Sequence, residues 1–259
     1  MNRIRRTALT IAMLSIAAPA AQDVAPQVAP IFEQVPAILY ETYTGTTSSF
    51  DDYFTMLVER AAGSDGFGWS VYRENPKVAY RSTALPNGLE SMVEVQQARG
   101  TSFQDFTEEE VALWNSSWAT RHVAVYNAAP GLSYVPEGFT VEDIRALPYH
   151  RTSVYHLKWD QANAFRDAMR QRAALDREHG IEGLVLTVWN GGIGTEVQTV
   201  MVRVAAASLD ADRAALAGRM EVRQAYMDEF NRLTQIMNDA SRHIERHDQT
   251  RQPQLSWTR

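Results

Sequence analysis

Two rhythms of apolar residues alternate along this chain. Phe50, Tyr53, Phe54, Leu57 and Ala61 fall at spacings of three, four, seven and eleven residues from Phe50, which places them on one face of a helix. Before that helix, Ile38-Leu39-Tyr40-Glu41-Thr42-Tyr43 is apolar and aromatic enough for a strand, and Ser48 or Ser49 can cap the helix between them. After it, the glycines Gly63 and Gly66 mark a break. Phe67 to Arg73 and Val78 to Ala84 then read as a hairpin turning at Glu74-Asn75-Pro76-Lys77. A further helix from Thr107 carries Val111, Trp114 and Trp118 on one face, and Thr107 with Glu110 fits a capping box. Leu132-Ser133-Tyr134 reads as a closing strand.

The second half of the chain repeats this order. At a shift of 115 residues Tyr40 falls on Tyr155, Phe50 on Phe165, Gly68 on Gly183 and Asn75 on Asn190, with no gap. The shift grows to 119 at Val78 against Val197 and to 121 at His122 against His243, insertions that loops accommodate. The segment Ala119-Thr120-Arg121-His122-Val123 recurs as Ala240-Ser241-Arg242-His243-Ile244, and Pro130-Gly131-Leu132-Ser133-Tyr134 recurs as Pro253-Gln254-Leu255-Ser256-Trp257. In the second half Tyr226, Phe230, Leu233, Met237, Ala240 and Ile244 alternate four and three apart, which predicts a long helix from about Arg219 that runs past His243. Leu255-Ser256-Trp257 would then close the second sheet. The copies differ in one respect: Leu57 and Ala61 fall on Arg172 and Asp176, so the second copy's first helix loses its apolar face after two turns.

Each half therefore reads strand, helix, strand, strand, helices, strand. A βαββαβ unit is the ferredoxin-like plan, an antiparallel sheet with helices on one face and the other face needing a cover. The fold expected is α+β: two tandem ferredoxin-like repeats, about 37–136 and 150–259, packed sheet to sheet as an intrachain pseudo-dimer, with 137–149 as a linker carrying a short helix at Val141 to Leu147. With the strand-then-helix openings at Tyr40-Glu41-Thr42-Tyr43 and Tyr155-His156-Leu157-Lys158-Trp159, the chain resembles the dimeric α/β-barrel superfamily. That resemblance implies fold more strongly than activity. It brings in cofactor-free monooxygenases, haem-binding and haem-degrading proteins and small-molecule isomerases as the classes to weigh.

Composition adds a location and removes some partners. Asn2-Arg3-Ile4-Arg5-Arg6, a short apolar run from Ala8 to Ala17 and Ala18-Pro19-Ala20 have the order of a secretory signal peptide over residues 1–20, with 21–36 as an extended leader holding three prolines. An uncleaved N-terminal anchor is the alternative reading. The expectation is an exported, periplasmic or secreted protein with no membrane attachment after cleavage. The chain has no cysteine, so it relies on its core rather than on disulfides. A net charge of -6 gives no basic footprint for nucleic acid. Further pairing of whole chains into a homo-oligomer is compatible with such a fold.

Candidate chemistry is sparse. Arg121 and His122, with their repeat counterparts Arg242 and His243, read either as a proton-shuttling or ligating set or as cationic residues favoured by a helix C-terminus. His243 and His247 are four apart, half of a zinc site, but His243-Ile244-Glu245-Arg246-His247 lacks a glutamate directly after the first histidine and a third ligand nearby, so no metal is expected. Gly191-Gly192-Ile193-Gly194 lies between two strands and reads as a hairpin turn, and no G-x-S-x-G nucleophile elbow occurs. Tyr43, Trp69, Tyr72, Tyr80, Trp159 and Trp189 lie in or beside strands. The expected site is a pocket for a small apolar or aromatic ligand, lined by Tyr155, His156, Trp159 and Trp189, with Arg73 as a further polar group. Two classes of function stay open: a binding or interaction protein, or an enzyme of the monooxygenase or haem-handling kind. Haem is the one cofactor the resemblance raises.

Overall fold

A computed structural model of the chain describes residues 29–62 and 66–258. The expected signal peptide and its cleavage site lie outside the described residues. Eight strands form a closed antiparallel barrel: β1 (Ala37–Thr44), β2 (Trp69–Asn75), β3 (Val78–Leu85), β4 (Thr120–Ala128), β5 (Tyr149–Leu157), β6 (Val185–Gly191), β7 (Thr199–Ala206) and β8 (Ser241–Arg251). Around the barrel they run β1-β3-β2-β8-β5-β7-β6-β4. Within each half the neighbours are the same, β4-β1-β3-β2 and β8-β5-β7-β6. The halves meet edge to edge, at Tyr126↔Gly191, Asn127↔Asn190 and Ala128↔Trp189 on one side and at Tyr72↔Arg251 and Arg73↔Thr250 on the other.

Strand alternation divides the side chains between a lumen and an outer layer under helices. Ile38, Tyr40, Tyr72, Tyr80, Tyr126, Val154, Trp189 and Met201 form one buried cluster drawn from seven strands, and Gln249 of β8 joins it by donating to the Tyr40 hydroxyl at 2.7 Å. The lumen is thus packed with rings. The outer face is covered in the first half by α2 (Ser49–Ala61), α3 (Leu89–Gln104) and α4 (Glu108–Ser116). In the second half it is covered by α6 (Ala162–Glu178), α7 (Leu209–Arg223) and α8 (Met227–Asp239). Phe50, Tyr53 and Phe54 are the buried stripe of α2, as the spacing predicts. Thr107 and Glu110 form the capping box of α4. Ser48 stands at the N-cap of α2 but its side chain makes no capping bond. The short helix α5 (Val141–Arg145) falls within the expected linker.

Four expectations are corrected. First, Pro30 to Gln34 within the supposed extended leader form a short helix, α1, whose Ile31 and Phe32 are buried. Second, Arg121-His122 and Arg242-His243 sit at the start of β4 and β8, not at helix ends. The predicted long helix breaks at a 3-10 turn over Gln224–Tyr226 and stops at Asp239. The periodic seam misled because β8 is almost wholly polar: His243, Glu245, His247 and Gln249 share one face, so no apolar alternation announces the strand. Third, the closing strands are β4 and β8, whereas Pro130–Leu132 and Pro253–Leu255 are 3-10 turns. Fourth, the 115-residue shift is one residue out of register in the first strand. Tyr40 points into the lumen, but Tyr155 packs on Phe165 under α6 at 5.0 Å. A one-residue slip exchanges the two faces of a strand. On the helix side, Tyr155 therefore corresponds to Glu41, as Leu157 does to Tyr43.

The repeated Pro-x-Leu-Ser-aromatic segments have a shared role. Each crosses to the other half and continues its edge strand. Tyr134 bridges Leu186 and Trp257 bridges Trp69. Ser133 Oγ accepts from the Val188 amide at 2.9 Å, and Ser256 Oγ accepts from the Val71 amide at 2.9 Å. Leu132 is buried among the second half's helix-side residues, and Leu255 among the first half's. Leu255→Ala should therefore destabilise the whole barrel by about 2–5 kcal/mol, measured by urea unfolding. Exposed Gln254→Ala in the same turn should leave the midpoint unchanged.

Candidate functional site

The outer layer of the first half holds a cavity, while that of the second packs a cluster of buried apolar side chains. A cavity of about 590 Å³ lies between the helix side of β2, β3 and β4 and the helices α2, α3 and α4. Its walls are aromatic: Trp69 from β2, Tyr53 from α2, Phe103 and Phe106 from α3 and the turn after it, Trp114 from α4, and Trp257 from the crossing tail. Trp69 and Trp257 lie with ring centroids 5.5 Å apart, and the Trp69 indole N–H donates to the Leu255 carbonyl at 3.0 Å. Helix α3 has a weak apolar stripe: Ser91 and Val95 are buried while Leu89, Val93 and Phe103 are exposed. It therefore covers the cavity without filling it.

The floor of the cavity is charged. Glu41 of β1 is wholly buried and receives three arginines. Arg81, its cross-strand neighbour on β3, donates through Nε, and Arg121 of β4 donates through Nε at 2.8 Å and Nη2 at 2.5 Å. Arg99 of α3 reaches Glu41 Oε2 at 3.0 Å and Thr83 at 3.0 Å. The Tyr43 hydroxyl donates to Glu41 at 3.1 Å. Burial opposes ionisation of Glu41, but the three guanidinium charges outweigh it and hold the carboxyl at about 2. Burial, with the charge of Arg81 beside it, lowers Arg99 to about 10. At neutral pH the cluster is one carboxylate against three guanidiniums, a net of two positive charges. Arg99 Nη1 is shielded from solvent and has no hydrogen-bond partner. The cavity thus has an apolar aromatic wall and an unsatisfied cationic floor, a combination suited to a flat ring bearing a negative oxygen.

The sequence-derived candidates do not converge. Arg121 lines the cavity, and Trp69 of the aromatic set lines it too. Arg73 holds Asp51 and lies over the Phe50 ring at 4.3 Å. Tyr155 is in the second half's outer layer, Trp189 is in the lumen, and Trp159 is 76% exposed. His156 contacts Glu245 at 2.9 Å and Glu196 at 3.2 Å and stacks on His243. His122 and His243 are exposed, and Arg242 bonds the Leu157 carbonyl and Glu196. In the second half the outer layer is closed by Tyr155, Phe165, Met169, Val200, Leu233 and Met237. Glu41, Arg81 and Arg99 were missed. Their one sequence signal is a carboxylate in an otherwise apolar strand, on the same face as Leu39 and Tyr43.

Haem is not fitted by this cavity. Among the described residues its lining has no histidine, cysteine or methionine to ligate iron, and burial raises the pKa of Tyr53, the one phenol among them, which opposes phenolate ligation. Among the described residues, no group of three or more histidine, aspartate or glutamate side chains is placed to hold a metal ion.

No protein-family model matches the chain, and no curated protein matches it. Solved structures do. An anthrone oxidase-like protein matches with a TM-score of 0.55 at 12% identity, over 83% of this chain and 91% of that one. A monooxygenase-like protein of Lactobacillus acidophilus NCFM matches with a TM-score of 0.51 at 10% identity, over 83% and 94%. Another, of Fusobacterium nucleatum subsp. nucleatum ATCC 25586, matches with a TM-score of 0.51 at 10% identity, over 84% and 92%. The chain has the dimeric α/β-barrel fold, with the whole barrel in one polypeptide. Identities this low carry the fold alone.

Glu41 gives a pH test. Its pKa in the folded chain lies below its ordinary 4.5, so its contribution to stability is present above about pH 5 and is lost as the pH falls towards 2. That contribution is roughly 3 kcal/mol from the size of the shift. Glu41→Gln should cost about 3–5 kcal/mol at pH 7, because it leaves three arginines facing one another. It should also flatten the acid limb of stability between pH 5 and 2, read by urea midpoints across that range.

Proposed function

We propose that the first-half cavity binds a planar hydroxylated aromatic compound as its anion, and that the protein oxidises it with molecular oxygen without a cofactor. The observation that carries this reading is the net positive arginine cluster under an aromatic-walled cavity of about 590 Å³. The fold, shared with anthrone oxidase-like and monooxygenase-like proteins, supports the choice of reaction class. Among the described residues no histidine, aspartate or glutamate lines the cavity; in this reading the substrate ionises in the field of Arg81, Arg99 and Arg121, its proton passing to water. The guanidiniums favour the anion and lower its pKa. An electron-rich phenolate or enolate gives electrons to dioxygen, and a carbon–oxygen bond forms at a ring methylene carbon. Loss of water from the hydroperoxide leaves a carbonyl, so that one ring methylene and one dioxygen become one ring ketone and one water. The residues bind, orient and exclude bulk water, and the oxidant is dioxygen itself.

The same reading takes the two halves, about 37–136 and 150–259, as diverged copies of one ferredoxin-like unit in which only the first retains a cavity. It also takes residues 1–20 as removed on export to the periplasm, so that the mass of the native protein should correspond to a chain starting near Ala21.

Anthrone and 1-naphthol, supplied under air, test the activity. Quinone absorbance should rise with anthrone, with one dioxygen consumed per product. Arg99→Leu should lower kcat/KM at least tenfold, equivalent to about 1.4 kcal/mol of lost transition-state stabilisation, while the far-ultraviolet circular dichroism is unchanged. Binding of 1-naphthol seen as tryptophan quenching, with no oxygen uptake on either compound, would make this a carrier rather than an oxygenase.

A further inference from the structure

The lumen holds a second cationic site that the proposed chemistry does not use. Four arginines are almost wholly buried, and three of them hold a carboxylate: Arg81 with Glu41, Arg219 with Asp212, Arg223 with Asp176. Arg203 of β7 is the exception among the described residues. Its one side-chain hydrogen bond runs from Nη2 to His150 Nδ1 on β5, and its Nε has no partner. Two ring faces, Tyr72 at 5.0 Å and Tyr40 at 5.8 Å, are its other company. A guanidinium cannot shed its proton in a protein. Ring faces return less than the desolvation of a buried cation costs.

The surroundings favour an anion. Since His150 Nδ1 accepts from Arg203, its proton sits on Nε2, which is shielded from solvent. Burial, then the neighbouring Arg203 charge, keep this histidine neutral. A cavity of about 90 Å³ opens beside the pair, closed by α1 and α5 at that end of the barrel. Ser70 and Ser82, register partners on β2 and β3, line it, and their hydroxyls make no hydrogen bond among the described residues. Arg145 lines it as well, and among the described residues no acidic side chain does.

We propose that this end of the lumen is a binding site for a small planar oxyanion of the formate, nitrate or bicarbonate class, held by the Arg203 guanidinium and the Ser70 and Ser82 hydroxyls. The cavity of about 90 Å³ suits a small anion, and the positive field with free donors selects negative charge. The site is separated from the first-half cavity by the sheet itself, so occupancy here stabilises the barrel rather than taking part in oxidation.

Thermal unfolding of the full chain in sodium formate or sodium nitrate, against sodium gluconate at equal ionic strength, tests this. The Tm should rise steadily from 1 to 100 mM formate or nitrate and stay flat in gluconate, which is too large to enter. Arg203→Gln should abolish the formate response. If that variant does not fold, Ser82→Val, which keeps the charge and narrows the cavity, should shift the response to at least tenfold higher formate. Equal Tm values in formate and gluconate would overturn the proposal, as would a Ser82→Val response identical to the parent's.

Discussion

Everything in this molecule depends on the parity of its strands. Closing eight antiparallel strands into a barrel sends alternate side chains inwards and the others out beneath helices, and a position one residue away serves a different purpose. Tyr40 and Glu41 are adjacent in sequence, yet one fills the lumen and the other anchors the arginines of the outer cavity. The lumen could not serve as a large ligand site once Tyr40, Tyr72, Tyr80, Tyr126 and Trp189 all pointed into it. The room that remains is outside the barrel, between sheet and helix, and at one narrow end.

The same parity explains why two halves with one strand order behave differently. On the helix side of the first half, Glu41 faces Arg81 across β1 and β3. In the second, Tyr155 faces Val200 across β5 and β7. An ion pair with further arginines holds its side chains apart around fixed donors, whereas a tyrosine, a valine and the methionines of α6 and α8 collapse to native density. The polar positions that the second copy's first helix acquired are not solvated either. Asp176 is buried, holding Arg223 at 2.5 Å and the Tyr226 hydroxyl at 2.7 Å, so they pin α6 to α7 and its following turn. A stripe that looks eroded by polarity is a buried network.

That contrast also sets what was legible in the sequence. Element order, the capping box at Thr107, the stripe of α2 and the dimeric α/β-barrel likeness could be read because they rest on periodicity and repetition. The location of the cavity could not. It follows from which of two adjacent residues faces the helices, and the ungapped shift of 115 residues is one residue off in the first strand, so it set a lumen position of β1 against a helix-side position of β5. The histidines drew attention through their reactivity, but His156 and His243 lie at the barrel mouth among Glu245 and Glu196. Glu41 was visible as a carboxylate in an apolar strand. Its partners Arg81, Arg99 and Arg121 are 40, 58 and 80 residues away in the chain, and no local pattern joins them.

The two halves are nevertheless not separable. Trp257, which forms part of the first cavity's aromatic wall, belongs to the tail that follows β8, and it is held there by a backbone pairing with Trp69 at 2.8 and 3.0 Å. The reciprocal tail places Tyr134 against Leu186, with its hydroxyl on the Ile181 carbonyl at 2.5 Å. Each half therefore finishes the edge of the other, where the direct strand seams are only two or three residue pairs long. A half that had lost its own cavity would still be required, since it supplies both the strand β8 that closes the barrel and the tail that walls its partner's pocket. The barrel and the first-half cavity are therefore complete only when both halves are present, because each supplies an edge that the other lacks.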